Sequence, residues 1–234
     1  MTERPTVLIT GATKGIGRAL VERFAAVAGE LHLVARSDRD LEALKQALAD
    51  EPCRVHTYPA DLSDPDSVRA LAKALVGSID TLDVLINNAG VYLPGSLLTE
   101  PANNLRYMME LNVLSHHELV RSLHGKMPRG SHLIHMASVA SRKLFAGKPS
   151  YSISKHAQGV LTEAFRHELR PLGIRVTSVM PGPTWSASWD GVEFPEDRLL
   201  DARHIAEAVW HAWQLPPEAV MEEVVIRPFE GDIE

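Results

Sequence analysis

Short, nearly unbroken apolar runs alternate with longer stretches of helical periodicity along this chain. That alternation constrains the fold more than any other feature. The runs are TVLIT (6–10), LHLVA (31–35), RVHTY (54–58), DVLIN (83–87), HLIHM (132–136), RVTSVM (175–180) and VVIR (224–227). Their continuous hydrophobicity suits parallel strands covered on both faces. Helical patterns lie between them, near 15–28, 38–50, 64–79, 103–127, 151–172 and 201–215. The expected fold class is therefore α/β: a doubly wound parallel sheet of about seven strands with helices on both faces. Right-handed crossovers place the ligand crevice of such a sheet at the carboxyl ends of its strands.

Local punctuation agrees with this reading. Ser37 and Asp40 have capping-box spacing, Asp64 and Asp80 suit helix caps or turns, and Gly173 suits a helix stop. The 234 residues, 45% hydrophobic, fit one domain over 1–234 with a full core. A net charge of -6 gives no basic footprint for nucleic acid, which leaves small molecules and protein chains as partners. Cys53 is the only cysteine, so no intrachain disulfide forms. MTERPTVLIT has no long apolar segment, and no stretch approaches the ~20 apolar residues of a membrane span. The expected location is the cytoplasm.

TGATKGIG (10–17) follows the first run directly and opens the first helical stretch. Its glycines, Gly11, Gly15 and Gly17, are spaced more widely than in G-x-G-x-x-G, but they meet the same demand. They permit a tight turn and close backbone approach, and a helix start offers N–H groups to a pyrophosphate. The expected dinucleotide-binding residues here are Gly11, Thr13, Lys14, Gly15, Ile16 and Gly17. The second run ends in VARSDRD, with Arg36 and Ser37 where a chain preferring NAD usually offers an acid. Arg36 and Lys14 suit a 2′-phosphate, hence NADP(H). Asp38 and Asp40 fit helix capping better than ribose contact.

YSISK (151–155) stands at the mouth of the long helical stretch 151–172. Residues i and i+4 share a helical face, so the Tyr151 phenol and the Lys155 ammonium can meet. The spacing suits an ordinary helical surface, and equally a phenol whose pKa a nearby cation lowers.

Taken in order, TGATKGIG, DL (61–62), NNAG (87–90), Asn112 in LNVLS, Ser138 in MASVAS, YSISK and PGPTW (181–185) carry a resemblance to the short-chain dehydrogenase/reductases over nearly the whole chain. The resemblance implies a single Rossmann-type domain and a catalytic tetrad of Asn112, Ser138, Tyr151 and Lys155. It implies that Tyr151 exchanges a proton with the substrate oxygen, and that Ser138 holds that oxygen. Lys155 binds the nicotinamide ribose and, with the oxidised cofactor, acidifies Tyr151. Asn112 supports a water linking Lys155 to solvent. It also places Asp61 and Leu62 beside the adenine, Asn88, Ala89 and Gly90 along the adenosine ribose, and Pro181, Gly182 and Thr184 at the nicotinamide and its phosphates.

The segment 183–200 is the expected short substrate loop, with Trp185 and Trp189 as substrate contacts; Tyr92, Leu93, Val139 and Phe145 are further pocket candidates. No metal requirement is expected. On a strand, His132 and His135 face opposite ways; His116 and His117 diverge on a helix; HELRP (167–171) lacks the second histidine of a zinc-protease motif. Helices 103–127 and 151–172 carry surplus apolar residues, and in this family such helices pair as a four-helix bundle, which predicts a homodimer or homotetramer. The best reading is an NADPH-dependent carbonyl reductase. Alternatives are a 3-oxoacyl thioester reductase resembling the acyl-carrier-protein reductases, hinted at by Arg129, Arg142 and Lys143; a reductase resembling sepiapterin reductase; and a non-catalytic NADP-binding sensor or scaffold.

Overall fold

The computed structural model describes residues 4–185 and 198–231. All seven expected runs form strands: β1 (Thr6–Thr10), β2 (Glu30–Ala35), β3 (Arg54–Pro59), β4 (Val84–Asn87), β5 (His132–Met136), β6 (Arg175–Pro181) and β7 (Glu223–Ile226). They make one parallel sheet in the order β3-β2-β1-β4-β5-β6-β7. The winding reverses between β1 and β4, and sheets of this order hold their ligand crevice beyond the carboxyl ends of those strands.

Residues i and i+2 of a strand share a face, so alternate side chains feed two cores. Val7, Ile9, Leu31 and Leu33 pack on one side with α1 (Gly15–Ala25), α2 (Asp38–Ala47) and α7 (Ala202–Gln214). There Phe24 of α1 meets Trp210 and Trp213 of α7, each at a ring-centroid distance of 5.5 Å. Leu8, Leu85 and Leu133 pack on the other side with α3 (Pro65–Ser78), α5 (Ser115–Leu123) and α6 (Pro149–Leu169). Each fully buried Leu or Phe contributes about 1.5–3 kcal/mol, which fixes the strand ends that carry the site.

Several caps fall where the sequence puts them. Ser37 Oγ accepts from the Asp40 N–H at 3.1 Å, and Asp64 accepts from the Asp66 N–H at 3.1 Å with Pro65 opening α3. Gly173 takes φ 77°, a left-handed stop after the turn 170–172.

The expected helical stretch 103–127 is unbroken over 104–126, but it is not one regular α-helix. It comprises α4 (Asn104–Met109), a π turn (Glu110–Leu114), α5 and a 3-10 turn (His124–Lys126). A π turn admits one extra residue and re-aims the side chains around it. Asn112 sits at its centre, fully buried. Helix α6 begins at Pro149, two residues before Tyr151, because proline suits the first helical turn.

Candidate active site

The glycine turn is braced from β4. Thr10 Oγ1 accepts from the N–H groups of Asn88 and Ala89, each at 3.0 Å. Asn88 Nδ2 donates to the carbonyls of Thr10 (2.9 Å) and Gly11 (3.3 Å). Gly11 and Gly15 have φ of 67° and 52°, the left-handed region where glycine is favoured. A Cβ on Gly17 would lie 2.0 Å from the Gly11 carbonyl oxygen. Helix α1 starts at Gly15; Lys14, at its N-cap, gives no side-chain cap, and the first turn has no acid. Its leading N–H groups and positive dipole end therefore fit an anion such as a dinucleotide pyrophosphate.

Arg36 is exposed at the end of β2, and Ser37 is committed to its cap. Asp61, just past β3, accepts from the Ser63 N–H (2.9 Å) and hydroxyl (2.7 Å). Burial opposes ionisation of Asp61, but these bonds and the charge of Arg36 outweigh it and hold its carboxyl below the usual value. Leu62 is buried in the α3-side core. Pro181 ends β6, the Gly182 N–H donates to Ile226 O at 2.7 Å, and Thr184 Oγ1 donates to Gly182 O at 2.9 Å.

Asn112, Ser138, Tyr151 and Lys155 come together beyond β4 and β5. Ser138 Oγ caps a 3-10 turn by accepting from the Ala140 N–H at 3.1 Å. Tyr151 and Lys155 share the inner face of α6, with Nζ 5.8 Å from the phenol ring centroid. Lys155 Nζ donates to Gln158 Oε1 at 2.8 Å and to Met136 O at 3.2 Å. Asn112 grips the backbone of Val91 at both ends: Oδ1 accepts from its N–H (2.8 Å), and Nδ2 donates to its carbonyl (3.0 Å) and to Ser154 Oγ (3.0 Å). The Asn112 side chain therefore holds the loop after NNAG instead of reaching Lys155. Gly90 lies between them; a Cβ there would sit 3.3 Å from Asn112 Oδ1 and 3.7 Å from Lys155 Nζ.

The acidic phenol expected with the oxidised cofactor bound is not present in the chain alone. Burial pushes the Tyr151 phenol up, Ser138 draws it partly back, and the neighbouring Tyr92 adds to the rise. Burial also pushes Lys155 down to about 7. Desolvation is the largest cause of both shifts, and each acts against the charged form.

Tyr92 meets Tyr151 edge to face, and Val139 and Phe145 are buried against Tyr151. Lys148 lies over Tyr92 and Phe145, 5.5 and 5.4 Å from their centroids. Leu93 is half-buried, and Trp185 is half-exposed, its backbone N–H donating to Leu200 O at 2.9 Å. Trp189 and residues 186–197 of the expected loop lie outside the described residues.

Of the three cations that hinted at a carrier-bound substrate, only Lys143 lies beside the site, 5.1 Å from the centroid of Phe145. Arg129 packs beneath Gly173, at the opposite end of β5, and Arg142 forms an ion pair with Glu223.

The histidines separate as expected. His132 meets Thr177 at 2.7 Å and His135 meets Thr162 at 2.8 Å, on opposite faces of β5. His117 stacks on Phe165, while His116 turns inward. Among the described residues, one cluster brings metal-type ligand atoms together: Glu30, His32 and His56, within 4.8 Å. It lies on β2 and β3 well below the crevice. The two imidazoles are stacked (4.6 Å, 11° between planes), so their in-plane lone pairs run side by side, and Glu30 is engaged by Arg54. Sequence reasoning did not anticipate Thr10, His116, Ser154 or Gln158. Three of them carried a local signal: Gln158 is three residues beyond Lys155, Ser154 three beyond Tyr151 and His116 four beyond Asn112, each on the same helical face.

The model of the short chain dehydrogenase family matches residues 5–193. The chain belongs to that family, and it is an oxidoreductase. It is 34% identical over 238 residues to a sepiapterin reductase of Chlorobaculum tepidum, covering 97% of this chain and 98% of that one. It is 35% identical over 218 residues to a 1-deoxy-11-beta-hydroxypentalenate dehydrogenase of Streptomyces exfoliatus, covering 88% and 78%. Its fold overlays an alcohol dehydrogenase of Thermococcus sibiricus complexed with 5-hydroxy-NADP at TM-score 0.86 and 26% identity, covering 98% of this chain and 99% of that one. A short chain dehydrogenase of Burkholderia cenocepacia in complex with NADP gives TM-score 0.88 at 23% identity, with 97% of each chain covered; that likeness is one of fold. No described helix is long and apolar enough to cross a membrane.

Proposed function

We propose that this protein is an NADPH-dependent reductase of a small-molecule carbonyl, working reversibly on a ketone/alcohol pair. The observation that carries the proposal is that Ser138 bonds Tyr151, that Lys155 shares the helical face of Tyr151, and that Lys155 Nζ comes up to Gly90 of the NNAG loop, which braces the glycine turn. The turn from Gly11 to Gly17, Asp61, Leu62, Asn88 to Gly90, Pro181, Gly182 and Thr184 would hold the cofactor, with Arg36 and Lys14 taking the 2′-phosphate. Bound NADPH supplies a hydride. Ser138 orients the carbonyl oxygen and stabilises its developing charge. Tyr151, protonated because it is buried, gives that oxygen its proton. Lys155 steadies the phenolate left behind and binds a ribose hydroxyl. Asn112 fixes the loop over which Lys155 reaches.

Tyr92, Val139 and Phe145 form a largely apolar wall beside Tyr151, suited to a compact, largely apolar substrate. Leu114, Ile153 and Val160 are exposed on the π turn and α6, and they supply the apolar face for a homodimer or homotetramer. Residues 1–234 act as one domain in the cytoplasm on this reading. The test is NADPH oxidation against ketones, diketones and 3-oxoacyl thioesters, with Tyr151→Phe as control. Turnover of a ketone that the control loses supports the proposal; equal turnover in both overturns the tetrad.

A further inference from the structure

We infer that Gln158 and His116 are positioning residues for Lys155, linked in one buried hydrogen-bonded chain that runs from the NNAG loop to the lysine side chain. The inference rests on the tetrad reading, since it gives a purpose to the neighbours of one member.

Every donor and acceptor in the chain is fixed by its first link. His116 Nε2 lies 2.9 Å from the Ala89 carbonyl oxygen, which only accepts, so Nε2 carries the proton. His116 Nδ1 is then an acceptor, and the group 3.0 Å away must be the Gln158 amide nitrogen. A second N–H of that amide reaches Met136 O at 3.4 Å. Gln158 must therefore turn its carbonyl oxygen to Lys155, where it accepts from Nζ at 2.8 Å. Among the described residues, the other acceptor of Nζ is Met136 O, at 3.2 Å. These two bonds leave one ammonium N–H for the crevice, across Gly90.

Gln158 and His116 are fully buried and Lys155 is 5% exposed. A buried amide is unfavourable unless it is bonded, and an apolar side chain would fill the same space. The amide instead supplies the negative end of a dipole to a cation that burial otherwise neutralises. The titratable groups facing Lys155 are Tyr151 from its own helix, His116 from α5 and His135 from β5. Burial and the charge of Lys155 push both imidazoles well below their usual range, so they stay neutral while Lys155 titrates.

The test follows the lysine Cε resonance of Lys155 by NMR in the cofactor-free chain, assigned by its loss in Lys155→Ala. The wild-type midpoint is expected near 7. Gln158→Met keeps the volume and removes the acceptor, so the midpoint should fall by about one pH unit. Gln158→Glu places a negative charge beside the ammonium and should raise it. A role in packing alone would not move the two variants in opposite directions. An unchanged midpoint in Gln158→Met overturns the inference; if that variant does not fold, an unchanged midpoint in Gln158→Glu does so. Wild-type turnover in Lys155→Ala would instead overturn the tetrad, whatever the midpoints show.

Discussion

The rings of Tyr92 and Tyr151 meet edge to face, with centroids 5.2 Å apart and planes at 86°. This contact holds the phenol of Tyr151 against the wall formed by Val139 and Phe145. An aromatic pair of this kind contributes about 0.5–1.5 kcal/mol beyond its buried area. Tyr92→Phe keeps the contact and should leave kcat/KM close to wild type. Tyr92→Ala frees the Tyr151 ring and should lower kcat/KM on the order of tenfold. Steady-state kinetics on the best ketone decides this, and equal values for wild type and Tyr92→Ala would remove Tyr92 from the site.

Tyr151 acts as an acid in the reducing direction, so it must carry its proton. Burial raises its pKa, which keeps the phenol protonated through neutral pH. The kcat/KM for reduction should therefore be level through pH 7 and fall as the medium becomes alkaline. The oxidising direction should show the reverse, rising as the phenol ionises. Tyr151→Phe should lose about 100- to 10,000-fold in both directions. A reduction rate that climbs with pH would show that the phenolate, not the phenol, is the working form.

Much of this arrangement was legible in the sequence, for physical reasons. Central parallel strands are apolar on both faces, so all seven appear as continuous runs, and their ends shift by only a residue. The order of strands is not written in any run, because it depends on which crossovers pass over which edge. The π turn at 110–114 was missed because one inserted residue leaves the apolar spacing on either side intact. Thr10 was missed for another reason. Its partners Asn88 and Ala89 lie on a different strand end, and no local pattern reports a hydroxyl that acts over that span. The rise in the Tyr151 pKa was also hidden, since i,i+4 spacing reveals a neighbouring charge but not how dry the site is.

Arg36 stands exposed at the end of β2, close enough to Asp61 to lower its pKa. A cation there favours a cofactor with a 2′-phosphate. Arg36→Asp should weaken NADPH binding about 10- to 100-fold, the worth of a charge-assisted hydrogen bond, and should improve NADH binding. Fluorescence titration with both cofactors measures the ratio. A wild-type protein that binds NADH more tightly would show that Arg36 faces solvent only.

Among the described residues, His32, His116, His132 and His135 are buried. Burial lowers the pKa of His32 to about 4 and of His116 and His132 to about 3, and it holds His135 well below its usual range. The unfolded chain binds protons at these sites below about pH 6.5, where the folded chain does not. Stability therefore falls as pH drops from about 6.5 towards 4. Each of these groups contributes about 2 kcal/mol of loss by pH 5, against a total stability of about 5–15 kcal/mol. Urea unfolding at pH 7.5 and pH 5 should show a large drop, reduced in His132→Gln. Equal stability at the two values would mean that these histidines are hydrated in the folded protein.

Gly17 is the position where the glycine turn tolerates least. A Cβ there would lie 2.0 Å from the Gly11 carbonyl oxygen and 2.6 Å from Asn88 Nδ2. Neither neighbour can yield cheaply. Gly11 is held at φ 67°, and Asn88 Nδ2 is bonded to the carbonyls of both Thr10 and Gly11. Gly17→Ala should therefore open the turn, destabilise the fold by about 3 kcal/mol or more, and abolish NADPH binding. Gly77, exposed in α3 with nothing within 4 Å of its Cβ position, is the control. There the same substitution should stabilise by about 0.5–1 kcal/mol, because it relieves glycine's entropy loss in a helix. Thermal melts of both variants, with and without NADPH, separate the two effects. A Gly17→Ala protein that melts like wild type and is still stabilised by NADPH would show that the turn is looser than its packing implies.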